Sequence, residues 1–480
     1  MWSERNPFLQ GHYLPLRNEY VIHELYVEGA IPKELNGALY RTGSNQHFRP
    51  ANPDKFHWFD GDGMVHAFRL KDGKASYCNR LVETDGLKVE RAAGRSLYNG
   101  IYGQAGVPQQ ALPEGAPPIK SVAGINVITL AGRILTMHEI DSFYWEIDRH
   151  SLATIGKFDF DGNFSSMITA HSHVDTHTNE TLFYAVENDP NFIECFAVNA
   201  AGKVASRHRT ALPFAPFIHD FIFSENYYIF FFGPIRNRAR APELVPLGLS
   251  SASLDDQSPG RVLLMHRTSG ECRWLETEPF TVGHYMNAYE DGNCIIVDAS
   301  VTPTLFRSAD INVSDFFPFP LVDEVSPFGP PELRRITIDL SIDTVSYRRI
   351  GDFDAEFVRT NETVMGRRHR YGYMAGIHNP GPDTRGFNCI IKHDYETNCS
   401  SFQHLPNGYD LVVGEPVFVP RQGATAEDDG WIMAVWWDPR RHASEMVILA
   451  ADDLDGKPVA RIQLDHHVPP GFHGNWIADL

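Results

Sequence analysis

An all-β fold follows from three features of the 480-residue sequence. First, short aromatic or β-branched runs recur, such as YYIFFF at 227–232, CIIV at 294–297 and MVIL at 446–449, each bounded by turn residues. Second, small turn pairs separate such runs: Asp72-Gly73, Ala131-Gly132, Asp161-Gly162, Ala201-Gly202, Ser269-Gly270, Asp291-Gly292 and Asp455-Gly456. A residue followed by glycine between apolar runs supplies the positive φ of a tight hairpin. Third, helical periodicity is confined to short pieces such as 31–36, and no strand–helix alternation appears. Many hairpins in one chain predict a pair of sandwiches, a large barrel or a propeller. At about 40–50 residues per four-stranded blade, six or seven blades with long loops fit the length as one domain over 1–480. No repeated signature fixes the blade count.

Composition narrows the function. Apolar residues make up 42% and charged residues 21%, enough for a large core. A net charge of −19 argues against a nucleic-acid partner, which needs clustered Lys and Arg. The six cysteines include no CxxC pair and read as reduced thiols, so a cytoplasmic location is expected. The first residues, MWSERNPFLQGH, lack the apolar core of a signal peptide, and no apolar run reaches 18 residues. Segments 103–123 and 233–260 are rich in Pro, Gly, Ala and Ser and are expected to be insertions between strands. A third stretch, FFPFPL at 316–321, sets aromatics beside prolines.

Four of the 22 histidines stand in settings where an imidazole is costly to leave unpaired: His171 in TAHSHV, His219 in FIHDF, His284 in VGHYMNA and His473 in GFHGN. Drawn together on the axis of a propeller, four neutral imidazoles suit zinc, copper, iron or nickel. A catalytic zinc usually takes three protein ligands and a water, whereas octahedral ferrous iron with four imidazoles keeps two positions for oxygen and water or substrate. Histidines so far apart in sequence are equally compatible with separate structural roles, each bonded to a backbone carbonyl. Three glutamates in apolar surroundings, Glu139, Glu356 and Glu415, form a plausible set of carboxylates for the outer ring nitrogens. The Asp60-Gly-Asp-Gly63 run lacks the spaced donors of a calcium loop and reads as a hairpin turn. His173, His57, His66, His466 and His467 read as structural.

These motifs and their order resemble the carotenoid cleavage oxygenase family nearly end to end: LNGALYRTG at 35–43, FHWFDGDGMVH at 56–66, the four histidine stretches, EPVFVP at 415–420, EDDG at 427–430 and GFHG at 471–474. The resemblance implies a seven-bladed β-propeller, with a cap of loops and short helices over an axial metal site. It implies Fe(2+) held by His171, His219, His284 and His473, with Glu139, Glu356 and Glu415 behind three of those rings. The implied reaction inserts O2 across a conjugated C=C bond and leaves two carbonyl products.

Family likeness leaves the alkene open. Carotenoid-type members often carry an aromatic stretch like His57-Trp58-Phe59, as here. Stilbene-type members generally have Phe-Asn there, with a lysine before the first glutamate and a tyrosine to bind a 4-hydroxyl group. Here the lysine position is His138, and Tyr102 matches the tyrosine. Neutral histidine stabilises a phenolate less well than lysine, so the expected substrate is an apocarotenoid-like polyene. The alternatives are a stilbene or phenylpropene, or a non-catalytic carotenoid-binding propeller. Phe59, Tyr102, His138, Phe143 and Phe316 are the pocket candidates. Segment 233–249, with Arg236, Arg238 and Arg240, is either a peripheral membrane contact for apolar substrate or a solvated basic loop.

Overall fold

The computed structural model describes residues 2, 6–100, 112–188, 190–233, 235–237, 252–254, 258–302, 331–380, 386–404 and 414–479. Its secondary structure is almost entirely antiparallel strand, and the tight turns lie where small turn pairs occur. The strands Gly63–Lys71 and Lys74–Leu81 meet through Asp72 and Gly73, at φ 51° and 77°. Asn126–Leu130 and Arg133–Met137 meet through Ala131 and Gly132, at φ 51° and 76°. Two successive positive φ values are the geometry that matches the twist of paired strands.

Inner and outer strands differ as sheet physics requires. Asn191–Asn199 is buried from Phe192 to Val198, whereas Val204–Ala211 alternates strictly between half-buried and exposed positions. A strand with both faces covered carries continuous apolar residues, and an edge strand needs them on one face only.

The sheets follow one another along the chain. The first holds five strands, in the order Val21–Ile22, Lys74–Leu81, Gly63–Lys71, Gly37–Ser44 and Gly471–Ala478, so its last strand comes from the far end of the sequence. Sheets over residues 126–158, 167–211 and 222–277 come next. A seven-stranded sheet then runs in sequence order over 281–404. Within it the 16-residue strand Thr344–Arg359 pairs with Glu332–Asp339 along its first part and with Tyr371–Ile377 along its second. The final sheet, over 417–463, takes Tyr26–Gly29 as an edge strand.

Separate apolar cores lie between successive sheets. One joins the first sheet to the second through Val65, Ala67, Ile134 and Trp145, and another joins the second to the third through Leu135, Tyr144, Phe183 and Phe196. A further core packs the last sheet on the first through Met433, Ile448, Leu39 and Phe68.

Three expectations change. Residues 31–36 form a turn and extended chain, and the one α-helix among the described residues is Asp85–Ala93, capped by the Thr84 hydroxyl on Leu87 N and ended by Gly94 at φ 68°. Gly86 in its first turn and few apolar positions hide it from periodicity. Asp60-Gly-Asp-Gly63 is not a hairpin: Trp58–Asp60 is a 3-10 turn, and Asp62 is buried against Lys120 Nζ at 2.6 Å. Asp161-Gly162 likewise ends a 3-10 turn, Phe160–Gly162, without joining two strands. The insertion at 233–260 contributes a two-stranded ladder, Ile235–Asn237 with Ala252–Leu254. All six cysteines are free, and among the described residues no helix is long and apolar enough to cross a membrane.

Candidate metal centre

Four strand ends and loops deliver one histidine each to a common point. His171 precedes the strand His173–Asp175, and Thr169 holds its backbone on both sides: His171 N donates to Thr169 Oγ1 at 2.9 Å, and that hydroxyl donates to His171 O at 3.0 Å. His219 lies in the loop before Ile222–Phe223. His284 sits within Thr281–Asp291 where the pairing register shifts between Val282 and Tyr285. His473 belongs to Gly471–Ala478 and donates its backbone N–H to Ile125 O at 3.1 Å.

The Nε2 atoms of His171 and His219 stand 3.1 Å apart, those of His219 and His284 3.2 Å, and the four candidate ligand atoms all lie within 4.8 Å of one another. Neighbouring nitrogens on one ion with bonds of about 2.1 Å are about 3 Å apart, so the spacing fits a shared cation.

The outer ring nitrogens explain why lone pairs point inward. His284 Nδ1 meets Glu356 Oε2 at 2.5 Å, and His473 Nδ1 meets Glu415 Oε1 at 2.9 Å. Glu139 Oε1 stands 2.6 Å from His219 Nδ1, at ion-pair distance but off the line of a hydrogen bond. A carboxylate at Nδ1 keeps the proton there and leaves Nε2 as a bare lone pair. Several such lone pairs about 3 Å apart repel one another unless a cation lies between them.

The electrostatics show the same demand for positive charge. Burial favours the neutral His284 ring, yet the Glu356 carboxylate outweighs it and lifts the pKa to about 9, so this ring takes a second proton on Nε2 wherever no cation stands there. Burial and then the three neighbouring imidazoles hold His171 well below its usual value. Burial opposes the charge on Glu415, but Arg359 and then His473 stabilise it and bring its carboxyl down to about 2. The centre thus attracts positive charge without accepting a proton on every ring.

The sequence-nominated residues separate into two groups. The four histidines and three glutamates come together, while His173 stands beside them, bonded to Asp220 Oδ1 at 3.2 Å. Among the pocket candidates, Phe59 packs on Phe472, next to His473, with ring centroids 5.1 Å apart. His138 is half-buried beside Glu139, its pKa brought down to about 4 by the loss of water around the ring, and its Nδ1 has no partner among the described residues. Phe143 instead packs on Trp145 beneath Lys157 Nζ. Tyr102 and Phe316 lie outside the described residues, as do the side chains of Arg236, Arg238 and Arg240.

Sequence reasoning missed three residues. Asp220 accepts from Phe221 N at 2.7 Å and Tyr285 N at 3.0 Å, tying the His219 loop to the His284 strand. Phe357, at φ 52°, stacks on His284 with ring planes 20° apart. Arg359 reaches Glu415 Oε1 at 3.1 Å. The one visible signal was Glu356 and Arg359 flanking the apolar pair Phe357-Val358, and it pointed to Arg359 alone. A cavity of roughly 20 Å³, lined by Phe217, Ile218, Phe231 and Tyr285 among others, reaches His219.

Residues 13–478 match the family described as retinal pigment epithelial membrane protein. The chain belongs to this family. Isoeugenol monooxygenase of Pseudomonas nitroreducens is 31% identical to it, over 99% of this chain and 98% of the relative. A mutant of the Synechocystis apocarotenoid oxygenase superposes with a TM-score of 0.84 at 27% identity, over 98% of each chain. The lignostilbene dioxygenase of Pseudomonas brassicacearum superposes with a TM-score of 0.87 at 26% identity, over 99% of each chain. This family member is therefore an enzyme, an oxygenase, with the mostly-β fold of those structures.

Proposed function

We propose that the protein is a non-haem Fe(II) dioxygenase that cleaves a conjugated C=C bond of an apocarotenoid-like polyene. The observation that carries this reading is the convergence of four Nε2 lone pairs, with carboxylates behind three of the rings. Four nitrogen donors and no carboxylate ligand suit iron better than magnesium or calcium. Iron held there supplies the binding and activation of dioxygen. The C=C and O–O bonds break and two C=O bonds form, so both oxygen atoms leave in the two products.

The chain's own residues orient and enclose. Glu356 and Glu415 fix the tautomers of His284 and His473, Phe357 covers the His284 ring, and Asp220 holds two ligand-bearing segments in register. Phe59, Trp58 and Phe472 form an aromatic wall beside His473, suited to a flat apolar chain. We further propose that the sheets make a single seven-bladed propeller over 1–480, the long strand Thr344–Arg359 serving two blades. Segment 233–249 is proposed as a peripheral membrane contact for substrate uptake from a cytoplasmic protein.

A second reading has one observation in its favour. The Nδ1 atom of His138, buried and without a partner among the described residues, would be satisfied by the hydroxyl of a stilbene or phenylpropene.

Metal analysis and product masses test both. The expected result is one iron per chain and two carbonyl fragments from an apocarotenal. Cleavage of a 4-hydroxystilbene alone would overturn the polyene assignment, and polyene binding without metal or turnover would overturn the enzymatic one.

A further inference from the structure

The carboxylates behind the histidines are not held alike. Glu356 is fixed by neutral donors, the Ser300 hydroxyl at 3.0 Å and the backbone N–H of Phe357. Glu415 meets a cation. Its Oε1 accepts from His473 Nδ1 at 2.9 Å and from Arg359 Nη1 at 3.1 Å, and its Oε2 accepts from Gly474 N at 2.9 Å. Three donors on one carboxylate leave it no freedom to rotate away from His473.

Arg359 does more than pair with Glu415. Its Nη1 reaches Gly474 O at 3.3 Å, and its Nη2 donates to Asn475 Oδ1 at 2.8 Å and to Glu362. One guanidinium therefore grips both the carboxylate that orients His473 and the two residues that follow His473 in the chain. A local irregularity aims it there. In a regular strand, residues 356 and 358 would share a face. Here the pairing register shifts between Glu356 and Arg359, with Phe357 at φ 52°, so 356 and 359 both reach the centre.

We propose that Arg359 is a positioning residue for metal binding: it acts through Glu415 and the strand Gly471–Ala478 to set the orientation and donor strength of His473. With a cation at Glu415 and none at Glu356 among the described residues, His473 receives less negative charge than His284, so the ligands are unequal by construction. The inference rests on the metal reading above and adds a residue outside the histidine and glutamate set.

The test uses metal-stripped full-length protein and Co(II) as the probe, read by visible absorption and by binding constant, with thermal unfolding of the metal-free form alongside. Removing a partner of this kind typically costs 10–100-fold in metal affinity. Arg359→Gln is expected to weaken Co(II) binding by about that factor and to shift the cobalt band. Arg359→Lys, which keeps the charge, is expected to recover part of both. Glu362→Gln retains the guanidinium, loosens its outer anchor, and stands in should Arg359→Gln not fold; it is expected to weaken binding by a smaller factor. Unchanged cobalt affinity and spectrum in the folded variants, with only a lower melting temperature, would overturn the inference and leave the metal reading intact. A wild-type protein that takes up no cobalt would overturn both.

Discussion

The Glu356 carboxylate passes through the space where Gly283 would carry a side chain: an added Cβ would lie 2.2 Å from Oε1. That contact is far inside van der Waals range, and the carboxylate cannot retreat while bonded to Ser300 and His284. Gly283→Ala is therefore expected to displace Glu356 from His284 and lower metal affinity by about the 10–100-fold typical of a lost ligand partner. Wild-type affinity, measured by chelator competition, would count against the assignment.

His219 has direct neighbours on both sides, with Nε2 contacts to His171 and His284. His219→Ala should leave the sheets folded, because this residue lies in a loop outside the strands and its side chain is only partly buried. Its iron content should fall to a small fraction of wild type. Elemental analysis of the purified variant, with circular dichroism as the folding control, checks both statements.

Glu415→Gln keeps the shape of the side chain and removes its charge. The amide can no longer serve as an anionic acceptor for both His473 and Arg359. Iron retention or turnover is expected to fall about 10–100-fold. Comparing iron content after dialysis against chelator at matched times measures it.

Lys120 lies buried between Asp62 and Glu90, at 2.6 Å and 2.7 Å. The triad ties the helix Asp85–Ala93 to the turn before Gly63–Lys71. Lys120→Met would strand two buried carboxylates, at a cost of about 3–5 kcal/mol. Adding Asp62→Asn and Glu90→Gln should restore much of that loss. Denaturant unfolding of the single and triple variants gives the comparison.

Asp141 supplies a pH dependence. Burial pushes its carboxyl up to about 7, against the opposing hydrogen bond from Ser121. An unfolded aspartate titrates near 3.9, so the folded protein binds the proton more tightly. The stability tied to this group is complete below about pH 4 and lost as pH rises through about 7, by about 4 kcal/mol at most. Asp141→Asn should therefore melt with a flatter pH dependence between 5 and 8 than wild type. Parallel slopes would show that Asp141 is already ionised.

Legibility in the sequence tracked the range of the forces. The hairpins at Asp72-Gly73 and Ala131-Gly132 were readable because turn geometry is set by adjacent residues. The four histidines could be nominated, since a polar ring in an apolar strand is a local anomaly. Their convergence could not be derived from spacing, because it depends on how separate sheets sit beside one another and, for His473, on strands more than 400 residues apart. Asp220 and Arg359 escaped for the same reason: the partners that give them meaning, Tyr285 N and Glu415, lie 65 and 56 residues away. The Asp62 carboxylate was read as part of a turn because Lys120 was not visible as its partner.

The pairing of Gly471–Ala478 with Gly37–Ser44 sets an order of events. His171, His219 and His284 can gather as their consecutive sheets form, each from contacts within one stretch of chain. His473 joins only when strands more than 400 residues apart find each other, and such distant pairings are the slow ones. Arrival of the fourth histidine and completion of the first sheet are therefore one structural event, and the histidine cluster cannot be complete in a chain whose first sheet is still open.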